Sequence, residues 1–314
     1  MLSRTADALF WLGRYNERSG NLARGIAAAL RMSLIEGDEG VESPEWRSLL
    51  VASGNDGAFR ARHDVATTRA TVEWMTLDAS NASSVAACIE AARRNARAVR
   101  TALTVDMWEA INDTWMELQR IRAASLSEER LPAFLDWVKS RSLALNGAAA
   151  DTMLRDDAWR FTHLGTILER ADNTARLLDA RVAAFRPEAA MEPANHPRLE
   201  AVLRSVGALR AYQHVYRARL DAERVAELLL LRREVPRSLR FCYDRVDSTL
   251  AKIAAGNGEE VCAAVRGVSV ELLARCERAQ INDILAGGLH NALTSAINGH
   301  TRLGNEIARC FLDG

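Results

Sequence analysis

The sequence predicts an all-α protein, and three observations lead to that prediction. The 314 residues are 48% hydrophobic but only 6% aromatic, and six prolines and 18 glycines are few for this length. Alanine, leucine, arginine and glutamate, which favour helices, are abundant, and no convincing alternation of polar and apolar residues indicates a strand. The chain is long enough for a substantial core and for two domains of ordinary size.

One helical pattern occurs twice in the chain, with the copies 152 residues apart. The copies, 12–24 and 164–176, both read L-G-x-x-x-E-R-x-x-N-x-A-R. At about 100° per residue, the glycine, glutamate, asparagine and final arginine of each copy fall within an arc of roughly 80°. Each motif helix therefore carries a polar row that is separate from its apolar face. The row consists of Gly13, Glu17, Asn21 and Arg24 in the first copy and of Gly165, Glu169, Asn173 and Arg176 in the second.

Both a structural and a functional interpretation of the polar row are open. Substitutions at solvated polar positions usually cost under about 0.5 kcal/mol, so a row kept in both copies indicates a constraint. The constraint can be a buried ion-pair lattice in which the glycines let two backbones approach closely. It can also be a site in which Glu17 and Glu169 act as catalytic acid/base residues. The candidate substrate-binding residues, which would grip a carboxylate, are Arg18, Asn21, Arg24, Arg170, Asn173 and Arg176.

Capping and turn signals place the other helices of the first half. The first motif helix is expected from about Ser3 to Ser33, and the Gly, Pro and acidic residues of 37–46 end it. A short helix at 46–53 and two more leading to Leu77 follow. Further helices are expected at 85–100, 105–122 and 131–150, the first of them capped by Ser84.

The second motif helix is expected from Asp156 or Asp157 to about Phe185, followed by a break at 186–197. The loop before a later helix contains Ser238, which is also expected to be a cap.

The internal match extends beyond the motif itself. Pro44 and Pro197 are 153 residues apart, and Ser84 and Ser238 are 154 apart. A tandem duplication explains this slowly drifting offset, and two similar halves would pack about a pseudo-two-fold axis as one helical bundle. The motif helices are candidates for crossing near that axis. The predicted repeats are 1–150 and 151–314.

Charge and composition argue against several functional classes. Lys plus Arg and Asp plus Glu both number 41, so the basic surplus of a nucleic-acid binder is missing. No stretch approaches the roughly 18 apolar residues of a membrane span, and the amino terminus contains no signal-peptide core. The five cysteines are odd in number and widely spaced, which is typical of reduced thiols. We expect a cytoplasmic protein without nucleic-acid or membrane partners.

The chain also lacks the usual cofactor motifs. No glycine-rich phosphate loop occurs, so ATP and Mg²⁺ are expected only through a partner protein. The six histidines show no H-E-x-x-H pattern or Cys/His spacing, which predicts no metal site. Ser84 and Ser238 have no nearby His/Asp pattern, and helix capping explains them better than nucleophilic catalysis.

Three stretches resemble the bacterial alpha-E domain family, which is all-helical. They are 1–24 (MLSRTADALFWLGRYNERSGNLAR), 159–182 (WRFTHLGTILERADNTARLLDARV) and 236–246 (PRSLRFCYDRV). The resemblance covers essentially the whole chain and is most specific at the two E-R pairs. The loop 78–84 departs from the family pattern because it lacks the expected prolines.

The resemblance implies a role beside an ATP-driven ligase. Family members are commonly encoded beside circularly permuted ATP-grasp proteins and transglutaminase-like proteins, and are proposed to serve in making or processing peptide-like amides. The implied function is an auxiliary subunit of an ATP-grasp-type amide or peptide ligase system. It would bind the partner, or a carboxylate or amine substrate, through the motif helices. The alternative is a stand-alone transferase or amide hydrolase that uses the paired glutamates as general acid/base.

Overall fold

A computed structural model describes residues 1–36, 43–124, 126–192, 194–257 and 259–312. Throughout these ranges the regular structure is helical, and no β-strand occurs. The prediction of an all-α fold is confirmed. No helix within the same ranges is long and apolar enough to cross a membrane.

Seven α-helices lie in the described part of the first half. They are α1 (Ser3–Glu36), α2 (Pro44–Ala52), α3 (Asp56–Arg60), α4 (Thr68–Thr76), α5 (Val85–Ala98), α6 (Val105–Ala123) and α7 (Leu131–Thr152). Short 3-10 helices lie at Arg100–Ala102 and Glu128–Arg130. The first motif helix, α1, is three residues longer than expected. The part of the predicted break at 37–42 lies outside the described residues.

Eight α-helices lie in the described part of the second half. They are α8 (Asp157–Ala180), α9 (Asn195–Ser205), α10 (Leu209–Tyr216), α11 (Ala222–Leu231), α12 (Leu239–Asn257), α13 (Glu259–Arg278), α14 (Ile281–Ala286) and α15 (Leu289–Ile307). Two 3-10 helices, Val182–Phe185 and Pro187–Met191, follow α8, and a π-helical turn, Ala308–Leu312, follows α15.

The second motif helix, α8, ends five residues before the predicted Phe185. Arg181 leaves the helical region with φ −119° and ψ 20°, and the chain continues as a 3-10 helix. The buried side chain of Arg181 forms an ion pair with Glu45 of α2, which is also buried. This contact anchors the end of α8 to an element of the first half.

The motif helices α1 and α8 form the most extensive helix–helix contact in the described structure. They cross at the two motif glycines. A Cβ atom at Gly13 would overlap the carbonyl oxygen of Thr162, and a Cβ atom at Gly165 would overlap that of Phe10. Because neither glycine has a side chain, the two backbones touch and the polar rows meet at the crossing.

The helices around this crossing pack in a reciprocal way. α5 and α7 pack against α1, and α12 and α15 pack against α8. The shorter α2 packs against α8, whereas α9 packs against α1, so each half also covers the motif helix of the other. These contacts tie the two halves to each other. The tandem repeat and a boundary at 150 stay predictions.

Two hydrophobic clusters form the described core. The larger joins the halves and contains Leu9 of α1 and Leu164 of α8. The smaller lies within the first half, around Trp46 and Trp74. The two glutamates of the polar rows, Glu17 and Glu169, are themselves buried.

Capping serines begin the two helices that flank the crossing. The Oγ of Ser84 accepts from the backbone N–H of Ala87 at 3.2 Å, and the Oγ of Ser238 accepts from that of Phe241 at 3.0 Å. The predicted capping role of both serines is confirmed.

Candidate functional site

The carboxylate of Glu169 on α8 is held by two arginines of α1. Arg18 donates through Nε to Oε1 at 2.5 Å and through Nη2 to Oε2 at 3.0 Å, while Arg14 Nε donates to Oε2 at 2.7 Å. Burial alone would raise the pKa of Glu169, but Arg18 and Arg14 outweigh burial and keep that pKa below its usual range. Glu169 is therefore ionised at neutral pH.

The carboxylate of Glu17 on α1 is held by α8 in the reverse sense. Arg170 donates through Nε to Oε1 at 3.2 Å and through Nη2 to Oε2 at 3.1 Å. Arg237, which precedes α12, lies 2.8 Å from Oε1, and Arg24 lies 3.8 Å from it. Burial would raise the pKa of Glu17, but Arg237 and Arg170 hold it well below its usual range.

Within the described structure, the hydrogen bonds to the two motif glutamates come from arginines, and none joins the two carboxyl groups to each other. A shared proton requires that one carboxyl group has a raised pKa. Both Glu17 and Glu169 have lowered pKa values, because Arg237 and Arg170 bind Glu17, and Arg18 and Arg14 bind Glu169. The geometry is that of a buried ion-pair lattice, and it gives no support to a general acid/base role for either glutamate.

The surroundings of the two glutamates differ at the residue that comes directly before each capping serine. Arg237 comes directly before the capping serine of α12 and reaches Glu17. Ser83 comes directly before the capping serine of α5 and lies beside the Glu169 ion pairs. Because serine is much shorter than arginine, the position that the Arg237 side chain takes beside Glu17 is left open beside Glu169.

We name this open space the Glu169 pocket. Its volume is about 300 Å³, which is in the range of small-molecule sites. Its walls combine three arginines and two carboxylates with amides, hydroxyls and a few apolar groups. It is lined by Arg14, Arg18, Asn21, Leu22, Ala52, Ser53, Gly54, Ser83, Glu169, Asp172, Asn173 and Arg176.

Several hydrogen-bond donors of the Glu169 pocket have no protein partner within the described part of the chain. Arg14 and Arg176 bond to Glu169 and Asp172 through Nε, whereas their terminal nitrogens make no hydrogen bond there. The Nδ2 of Asn21 is buried and unpartnered among the same residues. The pocket thus offers amide and guanidinium donors to an acceptor with negative charge.

Asp172 connects the Glu169 pocket to a buried hydrogen-bond chain. Its Oδ1 lies 3.3 Å from Nδ1 of His300, and Nε2 of His300 lies 2.7 Å from the hydroxyl of Tyr243. Burial would raise the pKa of Asp172, but His300 and Arg176 lower it to about 2. As a carboxylate, Asp172 holds Arg176 at the edge of the pocket through a 2.8 Å ion pair.

The structure brings the predicted site residues together, but in pairings that helical spacing did not indicate. Arg18 and Arg170, predicted to bind substrate, are the bidentate partners of the motif glutamates. The other predicted residues lie close by: Asn21, Asn173 and Arg176 line the Glu169 pocket, and Arg24 lies beside Glu17.

Three residues that the sequence did not single out complete the site: Arg14, Asp172 and Arg237. Arg14 and Asp172 occupy motif positions that differ between the two copies, so a comparison of the copies does not identify them as site residues. Arg237 lies outside the motif, in the PRSLRFCY segment. Its place directly before Ser238, a predicted helix cap, was the signal that could have identified it as a site residue.

Metal and thiol chemistry find little support at this site. Among the residues that the structure describes, no three His, Cys, Asp or Glu side chains are grouped as metal ligands. Burial raises the pKa of the Cys88 and Cys242 thiols to about 12, so neither is a thiolate at neutral pH.

Fold and site together define an all-helical protein built around two crossed helices, each with an E-R pair. The chain belongs to the Alpha-E family, whose model is described as a predicted alpha-helical domain with a conserved ER motif and matches residues 1–312. The E-R pairs of this chain are Glu17-Arg18 and Glu169-Arg170. In the structure, the glutamate of each pair binds the arginine of the other.

Curated relatives are similar over nearly the whole chain but are much longer. Uncharacterized protein Mb2597 of Mycobacterium bovis and Uncharacterized protein Rv2567 of Mycobacterium tuberculosis are each 25% identical over 319 residues. Each match covers 94% of the chain and 35% of the relative, so the chain spans about a third of the relatives' length. In these relatives the matched region is joined to further sequence. No solved structure matches the chain.

Proposed function

We propose that this protein is an auxiliary subunit of an ATP-grasp-type amide or peptide ligase system, and that it binds a substrate carboxylate in the Glu169 pocket. The observation that carries the proposal is the pair of pocket arginines, Arg14 and Arg176, whose terminal nitrogens donate no hydrogen bond in the described chain. A planar guanidinium group pairs with a carboxylate through two parallel hydrogen bonds.

The charge of the Glu169 pocket also favours a carboxylate. Its three arginines face two carboxylates, Glu169 and Asp172, which leaves one positive charge in excess. Both carboxylates already accept hydrogen bonds from protein groups. A ligand with a single negative charge would therefore neutralise the pocket, and the amides of Asn21 and Asn173 could bond to its polar groups.

The motif glutamates act in this proposal as positioning residues. Glu169 holds Arg14 and Arg18 in fixed orientations at the pocket wall, which limits the conformational entropy that these long side chains lose on binding. Because both Glu17 and Glu169 are ionised and fully paired, the bond-forming chemistry is assigned to a partner.

The proposed partner is a circularly permuted ATP-grasp protein, which would supply ATP and Mg²⁺. A transglutaminase-like protein is a second proposed partner. The resemblance to the alpha-E family supports this assignment. The lengths of the mycobacterial relatives support a joint function as well, since in them the matched region is covalently attached to other sequence.

Replacing Arg176 by glutamine is expected to weaken carboxylate binding roughly tenfold or more, because a charge-assisted hydrogen bond is lost. Isothermal titration calorimetry with N-acetylglycine as the probe measures the change. The melting temperature should change little, since the side chain of Arg176 is 36% exposed.

The matched control for this variant is Arg204→Gln. Arg204 forms the same i,i+4 type of pair, with Glu200, and its side chain is 40% exposed. This variant should bind the probe as the wild type does. Equal affinities for the wild type and Arg176→Gln would contradict carboxylate binding in the Glu169 pocket.

A second experiment addresses the partner. The tagged chain is expected to co-purify with the circularly permuted ATP-grasp protein, and amide formation by the pair should depend on the chain. Arg176→Gln should keep the complex but reduce amide formation. Absence of a complex, together with ligation that is independent of the chain, would reject the auxiliary role.

A further inference from the structure

The cluster of arginines around Glu17 differs in charge from the Glu169 pocket. We propose that Arg24, Arg170 and Arg237 form a second anion site, and that this site takes the phosphate group of a dianionic ligand. The proposal goes beyond the proposed function and does not depend on it, because none of these three arginines lines the Glu169 pocket.

The arginine cluster around Glu17 carries an excess of positive charge. Three guanidinium groups surround the single carboxylate of Glu17, which leaves two positive charges in excess. The side chains of Arg24, Arg170 and Arg237 are only 12%, 16% and 14% exposed. Like charges brought together out of water are costly unless a counter-charge is present. A phosphate dianion supplies two negative charges.

Several hydrogen-bond donors of the arginine cluster are unused within the described residues. The Nε of Arg24 is buried and has no partner within the described residues. Arg237 uses Nη1 to bond with Glu17 and Asn21, at 2.8 Å in each case, whereas its Nε and Nη2 make no hydrogen bond in the described chain. These unused donors match the several acceptor oxygens of a phosphate group.

Hydrogen bonds hold the guanidinium groups of the cluster in fixed positions. The Oδ1 of Asn21 accepts from Arg24 at 3.0 Å and from Arg237 at 2.8 Å, so one amide holds both guanidinium groups in place. Arg170 is fixed by its bidentate pairing with Glu17. A site whose donors are held before the ligand arrives binds with a smaller entropic cost.

The pKa of Arg24 agrees with this reading of the cluster. Burial and the neighbouring Arg237 lower it, and the attraction of Glu17 does not compensate. A dianion bound beside all three positive charges would raise the pKa of Arg24 again.

The test uses Arg237→Ser, which gives the Glu17 cluster the residue type found at position 83 beside Glu169. Inorganic phosphate is expected to raise the melting temperature of the wild type above the value in sodium chloride of equal ionic strength. In Arg237→Ser the rise should shrink to the general stabilisation that phosphate, as an excluded salt, gives to folded proteins, and phosphate affinity by calorimetry should fall roughly tenfold to a hundredfold.

Arg233→Ser is the control, since Arg233 is exposed and pairs with Asp244 on the surface. It should respond to phosphate as the wild type does. If Arg237→Ser does not fold, Arg24→Gln provides the same test, since it also removes one guanidinium group from the cluster.

Phenyl phosphate distinguishes the two sources of a phosphate group. Binding at least as tight as that of inorganic phosphate identifies an organic phosphate as the occupant, whereas binding of inorganic phosphate alone identifies the free ion. Calorimetry that detects no phosphate binding to the wild type, or an affinity that is unchanged in both cluster variants, would overturn the proposal.

Discussion

The Gly165→Ala variant is expected to lose about 3 kcal/mol or more of its free energy of unfolding. The added methyl group would overlap the backbone carbonyl of Phe10 at the crossing. A backbone atom cannot move aside as a flexible side chain can, so α1 and α8 must separate along their contact. Because the ion pairs of Glu17 and Glu169 span this contact, both would lengthen. Chemical denaturation followed by circular dichroism measures the loss.

Gly147→Ala is the matched control for this substitution. Gly147 lies inside α7, and a Cβ atom there would meet no heavy atom within 4 Å. Alanine should stabilise this helical position by about 0.5–1 kcal/mol. If the two variants changed stability in the same direction and by similar amounts, the close crossing of α1 and α8 would be wrong.

Replacing Glu17 by glutamine is expected to lower the free energy of unfolding by about 3–5 kcal/mol at neutral pH. The substitution keeps the size of the side chain but leaves Arg24, Arg170 and Arg237 without a counter-charge. Urea denaturation of both proteins gives the difference. The exposed Glu109→Gln on α6 should stay within about 0.5 kcal/mol of the wild type.

The stability difference between the wild type and Glu17→Gln should depend on pH. The pKa of Glu17 in the folded protein lies below the ordinary value of 4.5. The stabilisation by its ionised form is therefore complete above 4.5 and is lost as the pH falls below that value. The difference should be largest near about pH 7 and should narrow toward about pH 3. A difference that is constant over this range would mean that Glu17 is not held as a buried carboxylate.

The fold could be predicted from sequence because its main signals are local. Helix formers, few prolines and capping serines identify most helices, and the arc of the polar row follows from helical geometry alone. The glycines of the row predicted a close approach of backbones, and the structure shows that approach at Gly13 and Gly165. The early end of α8 was missed, since it depends on the contact of Arg181 with Glu45, far away in sequence.

The partners within the site could not be predicted in the same way. Spacing along one helix places Glu17 beside Arg24, yet its bidentate partner is Arg170, which belongs to the other helix. Such pairings depend on the crossing angle, which no local pattern reveals. Arg237 reaches Glu17 from the loop before α12, and its effect is visible only once the position of that loop is known.

Because α2 packs against α8 and α9 packs against α1, the chain should not divide into two stable halves. A cut between α7 and α8 would produce two fragments, each with a motif helix that loses the part of its packing surface covered by the other fragment. Neither fragment should fold alone, whereas a mixture of the two should reassemble. The uncut chain is accordingly expected to melt in a single cooperative transition.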